Sequence, residues 1–390
     1  MKPINKILLM VLLAVFSTSL FACEPGSNKI KNSESVSLPE YFYKRLEGKI
    51  NGRWNIVMNL TRNDSLLTGS YYYDDKGEPI LFTYDSRIKP DGAIKIGERT
   101  GQYDKNYNEV VSGEFNGRFI TNNKIEGEWL KPGTGIKYKF ELHEKYPDGS
   151  EKFVMKRTSR EYGNIESGGA SIEYIFPQAD KNNSSGSDSI NNSIIHNLIA
   201  GYQFGDQKEN WKSFDDEMND FLNRFKDFEK EPVFPKEYKP YWANSFFTSV
   251  VFNSNNIVVL ENVDYRFEGG AHPNTYFTFY NYELKSGKII TLSEIFKDGY
   301  KNELDKIGEQ KFREKYNIKP DQDLEKAGYF LTDHKFQLND NFAIYKGGLL
   351  FKFNPYEIAA YVFGAPEVYI PYSDIKKLLQ EKSVISEYIR

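Results

Sequence analysis

The stretch Trp54-Asn55-Ile56-Val57-Met58-Asn59-Leu60 decides the fold of the first half of the chain. Large apolar residues occupy every second position in it, and two of the three positions between them are asparagine. An alternation with a period of two is typical of a β-strand that packs one face on a core and leaves the other in solvent. The stretch therefore predicts a half-buried sheet.

The same pattern continues from Tyr41 to Glu144, interrupted by closely spaced turn residues at 63–64, 74–77, 90–92 and 122–123. Glycines stand two positions before aromatic residues, as in Gly113/Phe115 and Gly127/Trp129, which suits the bends and tapering interior of a closed sheet. These signals predict about eight antiparallel strands in a meander, forming a small barrel or a sandwich over residues 41–147. Such a barrel holds a small apolar ligand or is filled by its own side chains, and the sequence leaves both interpretations open.

The second half of the chain combines helices and strands. Residues 148–193 are predicted to be a connector that includes the polar loop Asp180–Ser193. Apolar residues spaced by threes and fours then predict two amphipathic helices, followed by strands joined through hairpins and a further helix near 301–316. We therefore expect residues 170–390 to form an α+β domain with an antiparallel sheet packed by helices.

The first 22 residues have the layout of a signal peptide, with Lys2 and Lys6 before a short apolar run. Leu20-Phe21-Ala22-Cys23 resembles the lipobox of bacterial lipoproteins, which implies lipid attachment, including palmitate, at Cys23. Residues 23–40 would be the tether of the anchored protein. The expected location is the exported side of the bacterial cell envelope, attached to the membrane through the lipid.

The overall charge argues against a nucleic-acid partner, because acids and bases are mixed and the net charge is −4. The sequence predicts no metal and no cofactor. Its four histidines are scattered without a second histidine three or four residues away, and no GxSxG or P-loop motif is present. Glu268 and His272 are close enough in sequence to form an acid/base pair, but we expect no catalytic residues and a protein that is not an enzyme.

The stretch Glu268–Asn274, EGGAHPN, breaks a run of predicted strands. Gly269 and Gly270 permit a backbone with positive φ, and the proline that follows His272 restricts it. One interpretation is a structural crossing in which His272 ties down nearby backbone. The other is a rigid recognition loop that presents His272 and Asn274, with Tyr276 behind them. We favour the structural interpretation.

The Gly269–Pro273 turn and the segment Asn354–Ala359 carry a resemblance to a known family. Residues 170 to about 380 resemble a paired extracellular domain of unknown function found in the lysozyme-sensing anti-sigma factor RsiV and in the peptidoglycan deacetylase PdaC. In the former the resemblance implies lysozyme binding, and in the latter it accompanies catalysis by another domain. Within this segment, we expect Asn354 to form a turn and Tyr356 to pack, although both are candidates for a ligand contact.

These observations predict a non-enzymatic, membrane-anchored envelope lipoprotein. Its α+β domain would bind a wall-associated protein such as lysozyme, or peptidoglycan. One alternative is a hydrolase of envelope glycan or ester bonds. A second is a carrier of a small apolar ligand in the N-terminal barrel.

Overall fold

A computed structural model describes residues 36–104, 109–164, 168–180, 186–200, 211–231 and 239–388. The predicted signal peptide, Cys23 and the beginning of the tether lie outside the described residues. The chain divides into two compact units. The first comprises residues up to Asp75 together with Pro79–Lys145, and the second comprises Lys76–Glu78 together with residues from Tyr146 onward.

The first unit is a closed antiparallel sheet, as the alternating sequence predicts. Its strands are β1 (Tyr41–Ile50), β2 (Trp54–Asn63), β3 (Leu66–Tyr73), β4 (Ile80–Leu81), β5 (Arg87–Ile88), β6 (Ala93–Tyr103), β7 (Glu109–Thr121), β8 (Lys124–Lys131) and β9 (Ile136–Glu144). The strand order is β2-β1-β9-β8-β7-β6-β5-β3-β4, and the additional pairing of β2 with β3 closes the ring. The prediction of an all-β meander is confirmed, in its barrel form.

Alternate residues of these strands fill the barrel. The buried cluster includes Leu46, Ile56, Met58, Tyr71, Ile96, Phe115, Phe119, Phe140 and Leu142. At the seam between β1 and β9, a Cβ atom on Gly48 would lie 1.9 Å from the backbone oxygen of Glu141, so the two strands meet because residue 48 has no side chain. A packed interior of this kind gives no support to the hypothesis that the barrel carries a small apolar ligand.

The second unit contains two sheets and five short or medium helices among its described residues. The strands are β10 (Phe153–Asn164), β11 (Gly168–Ala179), β12 (Tyr241–Ser254), β13 (Ile257–Phe267), β14 (Asn274–Glu283), β15 (Phe342–Ile344), β16 (Gly348–Lys352) and β17 (Glu367–Pro371). The helices are α1 (Ser187–Ala200), α2 (Phe214–Phe228), α3 (Leu292–Ile295), α4 (Lys301–Lys315) and α5 (Tyr372–Ile375). The predicted α+β class is confirmed.

The sheet topology differs from the prediction in two respects. β10 to β14 form one sheet in sequence order and β15 to β17 form another, where the sequence predicts a single sheet. Strands β11 and β12 are parallel, whereas the other pairings in both sheets are antiparallel. The reason is the long crossover that carries α1 and α2 between β11 and β12, because only such a connection brings the chain back in the same direction.

The predicted connector, residues 148–193, contains more regular structure than its sequence indicates. It includes β10, all of β11 and the first half of α1. β10 is an edge strand with many exposed charged side chains, so its alternation is weak in sequence. The polar residues assigned to a loop are helical from Ser187, and Asn191 exchanges hydrogen bonds of 2.7 and 3.1 Å with the backbone of Ala179.

Helix α2 follows the predicted amphipathic pattern. Ser213 caps its first turn by accepting a hydrogen bond of 3.1 Å from the backbone N–H of Asp216. Its buried face carries Met218, Phe221, Leu222 and Phe225. This helix holds part of the loop described below.

The two units are expected to fold separately. A fragment of residues 36–145 and one of residues 146–390 should each give a cooperative thermal transition, because each has its own core. A fragment that starts at residue 165 lacks β10 and should melt at a lower temperature than the 146–390 fragment. Failure of both units to fold alone would contradict the division.

Candidate binding surface

The loop Glu268–Pro273 connects β13 to β14, and its two glycines adopt the backbone that the sequence predicts. Gly269 has φ +89° and Gly270 has φ +93°, values that other residues rarely reach. A Cβ atom on Gly269 would lie 3.7 Å from Trp242 Nε1 and 4.0 Å from Phe228 Cζ, so the loop crosses the aromatic residues between α2 and β12 at close range.

Glu268 fastens this loop to its neighbours. Its carboxylate accepts hydrogen bonds from the Arg224 guanidinium on α2 at 2.7 Å and from Asn244 Nδ2 on β12 at 2.8 Å. His272 makes its contacts elsewhere, with Pro273 and with two tyrosines. Glu268 is therefore an anchor of the loop, and the geometry does not place it as the acid/base partner of His272.

His272 packs between residues that lie more than 80 positions later in the chain. Its Nδ1 is 2.9 Å from the carbonyl oxygen of Pro273, which accepts only, so Nδ1 carries the proton. Its ring stacks on Tyr361 with 4.7 Å between centroids, and Nε2 lies 3.4 Å from the Tyr356 hydroxyl. The Tyr361 hydroxyl also donates to the Pro273 carbonyl at 3.2 Å. The structure thus brings together two sequence candidates, His272 and Tyr356.

Asn354 begins the turn that the sequence predicts, because its carbonyl oxygen accepts a hydrogen bond of 3.0 Å from the Glu357 backbone N–H. Its side chain accepts a hydrogen bond of 2.7 Å from the Phe277 backbone N–H and donates one of 3.2 Å to the Phe277 carbonyl. Asn341 acts in the same way on Phe277 and Phe279. These amides occupy hydrogen-bonding groups along β14, the last strand of the five-stranded sheet. They also attach the segment that follows β16 to that sheet.

The remaining candidates lie away from the surface. Tyr276 is buried on β14, directly opposite Asp264 of β13. Asn274 is half-buried opposite Arg266. The recognition hypothesis, in which Asn274 is presented with Tyr276 behind it, therefore does not describe this loop.

An exposed patch of apolar side chains adjoins His272. We define the aromatic patch as Phe330, Tyr356, Val362 and Phe363. Val362 is 74 % exposed, Tyr356 53 % and Phe363 52 %. Tyr356 has φ +69°, an uncommon value for a bulky residue, which is a form of strain found more often at binding sites than elsewhere. Tyr356 packs against Tyr361, with 5.7 Å between ring centroids, while about half of it stays exposed.

Tyr361, Val362 and Phe363 are site residues that the sequence does not indicate. They form a 3-10 turn that ends at Gly364, which has φ +70°. In sequence, the apolar run Ala359–Phe363 bounded by Gly364 looks like a short strand end. The glycine directly after this apolar run was the available signal for a turn. A strand would bury these side chains, whereas a turn exposes them.

Buried charged groups lie beneath α2, next to the strand that leads into the loop. Arg266 binds Asp264 at 2.8 and 3.0 Å on β13, and Glu217 of α2 is buried nearby. Burial raises the pKa of Glu217 to about 7, with Asp264 adding to the effect while Tyr174 and Arg266 oppose it. Among the described residues, Glu217 Oε2 and the Tyr174 hydroxyl have no hydrogen-bond partner of normal geometry.

Within the described ranges, no group of three or more histidine, cysteine, aspartate or glutamate side chains is arranged to hold a metal ion. No helix in the described part of the chain is both long enough and apolar enough to cross a membrane.

Replacing His272 with alanine is expected to destabilise the second unit by about 1–3 kcal/mol, since the ring stack and the bond to Pro273 are lost. His334→Ala is the matched control, because the exposed His334 side chain pairs with Glu325 on the surface and its loss should cost less than about 0.5 kcal/mol. Thermal melts of both variants check this. Equal melting temperatures would contradict a bracing role for His272.

Two segments of the second unit resemble known protein families. Residues 166–275 match the family described as "Deacetylase PdaC", and residues 293–373 match the family described as "Protein of unknown function (DUF3298)". The loop at Glu268 lies at the end of the first match and the aromatic patch within the second. The two matched segments therefore meet at His272.

Two relatives support the same assignment. The peptidoglycan-N-acetylmuramic acid deacetylase PdaC of Bacillus subtilis strain 168 is 25 % identical over 170 residues, which are 43 % of this chain and 35 % of that protein. The crystal structure of a DUF3298 family member from Bacteroides fragilis NCTC 9343 has a TM-score of 0.50 at 19 % identity and covers 62 % of this chain and 99 % of that one. The predicted resemblance to the PdaC accessory domain is confirmed. The likeness to the anti-sigma factor stays a prediction.

Proposed function

We propose that this chain is a lipid-anchored envelope protein whose second unit binds a wall-associated protein through the aromatic patch around His272. The observation that carries the proposal is the exposure of Tyr356, Val362 and Phe363 on a segment that is held in place by hydrogen bonds. Exposed apolar residues grouped in this way are typical of interaction sites, and tyrosine is enriched among the residues that contribute most to binding.

The two segments that carry the aromatic patch and His272 favour binding because hydrogen bonds hold them in place. Asn354 fixes the segment before Tyr356 to β14, and Glu268 fixes the loop of His272 to α2. A surface that is already ordered loses little conformational entropy when a partner binds. Lysozyme is the protein partner implied by the resemblance, and it is the first partner to test.

Peptidoglycan is the second candidate. The matched relative is named as a peptidoglycan deacetylase. Aromatic rings beside a histidine and tyrosine hydroxyls provide both stacking faces and hydrogen-bonding groups for a sugar chain. We favour binding over hydrolysis, because Glu268, the acid nearest His272 in sequence, is held by Arg224 and Asn244.

The test compares capture on immobilised lysozyme with co-sedimentation on insoluble peptidoglycan, using unlipidated protein of residues 24–390. Phe363→Ser should weaken binding to the true partner by about tenfold or more. Val154→Ser is the matched control, since Val154 is 52 % exposed, as Phe363 is, and lies on β10. Binding to neither material, or equal loss in both variants, would contradict the proposal.

The anchor is tested separately. Cys23→Ser is expected to abolish lipid attachment, because serine lacks the thiol that forms the bond to the lipid, and to move the protein from the detergent phase to the aqueous phase on partition. Unchanged partition of the Cys23→Ser protein would contradict lipidation at this residue, without bearing on the aromatic patch.

A further inference from the structure

We infer that the barrel of the first unit has a binding site for an organic cation, a quaternary or primary ammonium group, at the end where β1 turns into β2 and β8 into β9. Aromatic side chains point into the barrel there while remaining open to solvent. A buried carboxylate lies next to them. This site is independent of the function proposed for the second unit.

The register of the strands fixes the direction of these aromatic residues. Trp54 stands opposite Ile50, and Trp129 stands opposite Phe115. Ile50 and Phe115 belong to the buried core, and directly opposed residues on antiparallel strands point to the same face. Trp54 and Trp129 therefore point inward. Tyr138 does so as well, because it stands opposite Trp129.

The three rings form a continuous wall at the mouth of the barrel. The centroids of Trp54 and Tyr138 are 5.1 Å apart, and those of Tyr138 and Trp129 are 6.0 Å apart with nearly parallel planes. Trp54 is 38 % exposed although it points inward, and the other two rings are half-buried. Inward-pointing residues deeper in the barrel are almost fully buried. The rings are thus accessible from outside at this end.

Glu98 lies beside this wall and is 4 % exposed. Its Oε1 accepts a hydrogen bond of 2.5 Å from Trp129 Nε1 and another from the Tyr71 hydroxyl. Its Oε2 accepts one of 2.8 Å from Ser112 Oγ. Both oxygens act as acceptors, as in a carboxylate, and Glu98 forms no ion pair with a lysine, arginine or histidine of the described part of the chain.

The backbone is shaped to place this carboxylate. The β6–β7 pairing shifts register near Glu98, since Gly97 stands opposite Glu114 but Arg99 stands opposite Val111. A Cβ atom on Gly113 would lie 2.4 Å from Glu98 Oε2, so only glycine leaves room for the carboxylate. Bulges of this kind re-aim side chains at barrel rims and next to binding sites.

A negative group beside aromatic ring faces has a specific chemical preference. The rings attract a cation through their quadrupoles. The carboxylate of Glu98 supplies the negative charge that complements a bound cation. At the rim, the Arg53 guanidinium already lies 5.8 Å from the Trp54 ring centroid. A neutral apolar ligand would use the rings but leave Glu98 without a counter-charge.

The test follows the indole N–H signals of the four tryptophans by NMR in the unlipidated protein of residues 24–390. The probes are choline, N-acetyl-lysine amide and 3,3-dimethylbutan-1-ol, the last being a neutral analogue of choline. Choline or the lysine derivative should shift the Trp54 and Trp129 signals saturably while Trp211 and Trp242 stay in place. The neutral analogue should bind at least about tenfold more weakly. Tighter binding of choline would indicate a free quaternary ammonium compound as the ligand. Tighter binding of N-acetyl-lysine amide would indicate a lysine side chain.

Two variants of the site and one control variant complete the test. Glu98→Gln should weaken binding of the cation by about tenfold or more, and Trp54→Ala, a change at the exposed rim, should weaken it without unfolding the barrel. Tyr162→Ala, in the second unit, should bind as the parent does. The inference is overturned if the neutral analogue binds as tightly as the cations, if Trp54→Ala binds normally, or if neither cation shifts the two signals.

Discussion

Replacing Glu217 with glutamine is expected to stabilise the second unit above pH 7 by about 2–3 kcal/mol and to change little near pH 4. Burial raises the pKa of this carboxyl from 4.5 to about 7 in the folded protein. Between these values the unfolded chain loses the Glu217 proton while the folded chain keeps it. Folding stability from this group therefore falls as the pH rises from about 4.5 to 7. Glutamine stays neutral and removes that loss.

Denaturant unfolding of the parent and variant at pH 4 to 8.5 measures the difference. Asp227→Asn, a change of an exposed acid on the same helix, is the control and should leave the pH dependence unchanged. If the stability of Glu217→Gln falls with pH as steeply as that of the parent, Glu217 is not a buried neutral carboxyl in the folded protein.

Removal of the Lys352 side chain is expected to cost about 3–5 kcal/mol. Its ammonium group is almost fully buried between Glu261 and Glu367, 3.1 Å from the latter, and lies 4.5 Å from the Phe277 ring centroid. Lys352→Ala would leave two carboxylates facing each other without the cation. Because Lys352 ends β16 and its neighbours hold the segment that leads to Tyr356, partner binding should weaken together with stability.

Chemical denaturation of Lys352→Ala measures this cost. Lys306→Ala is the control, because Lys306 forms an exposed pair with Glu303 on α4 and should contribute less than about 0.5 kcal/mol. A cost below about 1 kcal/mol for Lys352→Ala would show that the two sheets do not depend on this buried ion pair.

The sequence was most informative where a single period repeats. In the barrel, the alternation around Ile56 and Met58 and the regular turns predict the antiparallel order and about eight strands, where the sheet has nine, two of them only two residues long. β10 was missed because an edge strand buries little and carries charges on both sides of its alternation. The parallel pairing of β11 with β12 depends on the path of the crossover, which no local pattern encodes.

The candidate surface was predicted only in its local parts. The positive φ of Gly269 and Gly270 and the turn at Asn354 follow from residue type. The contact of His272 with Tyr356 and Tyr361 does not, because it joins segments more than 80 residues apart. Exposure of Val362 and Phe363 was also not predictable, since apolar residues in sequence indicate burial and only the fold shows that these two remain in solvent.

Hydrogen–deuterium exchange of the 24–390 protein, with and without lysozyme and with and without solubilised peptidoglycan, tests the central claim most directly. The aromatic patch and the loop of His272 should be protected by the partner that binds, in peptides covering residues 268–276 and 354–364. Protection confined to other segments, or no protection by either material at saturating concentration, would contradict the claim that this surface is where the protein binds its partner.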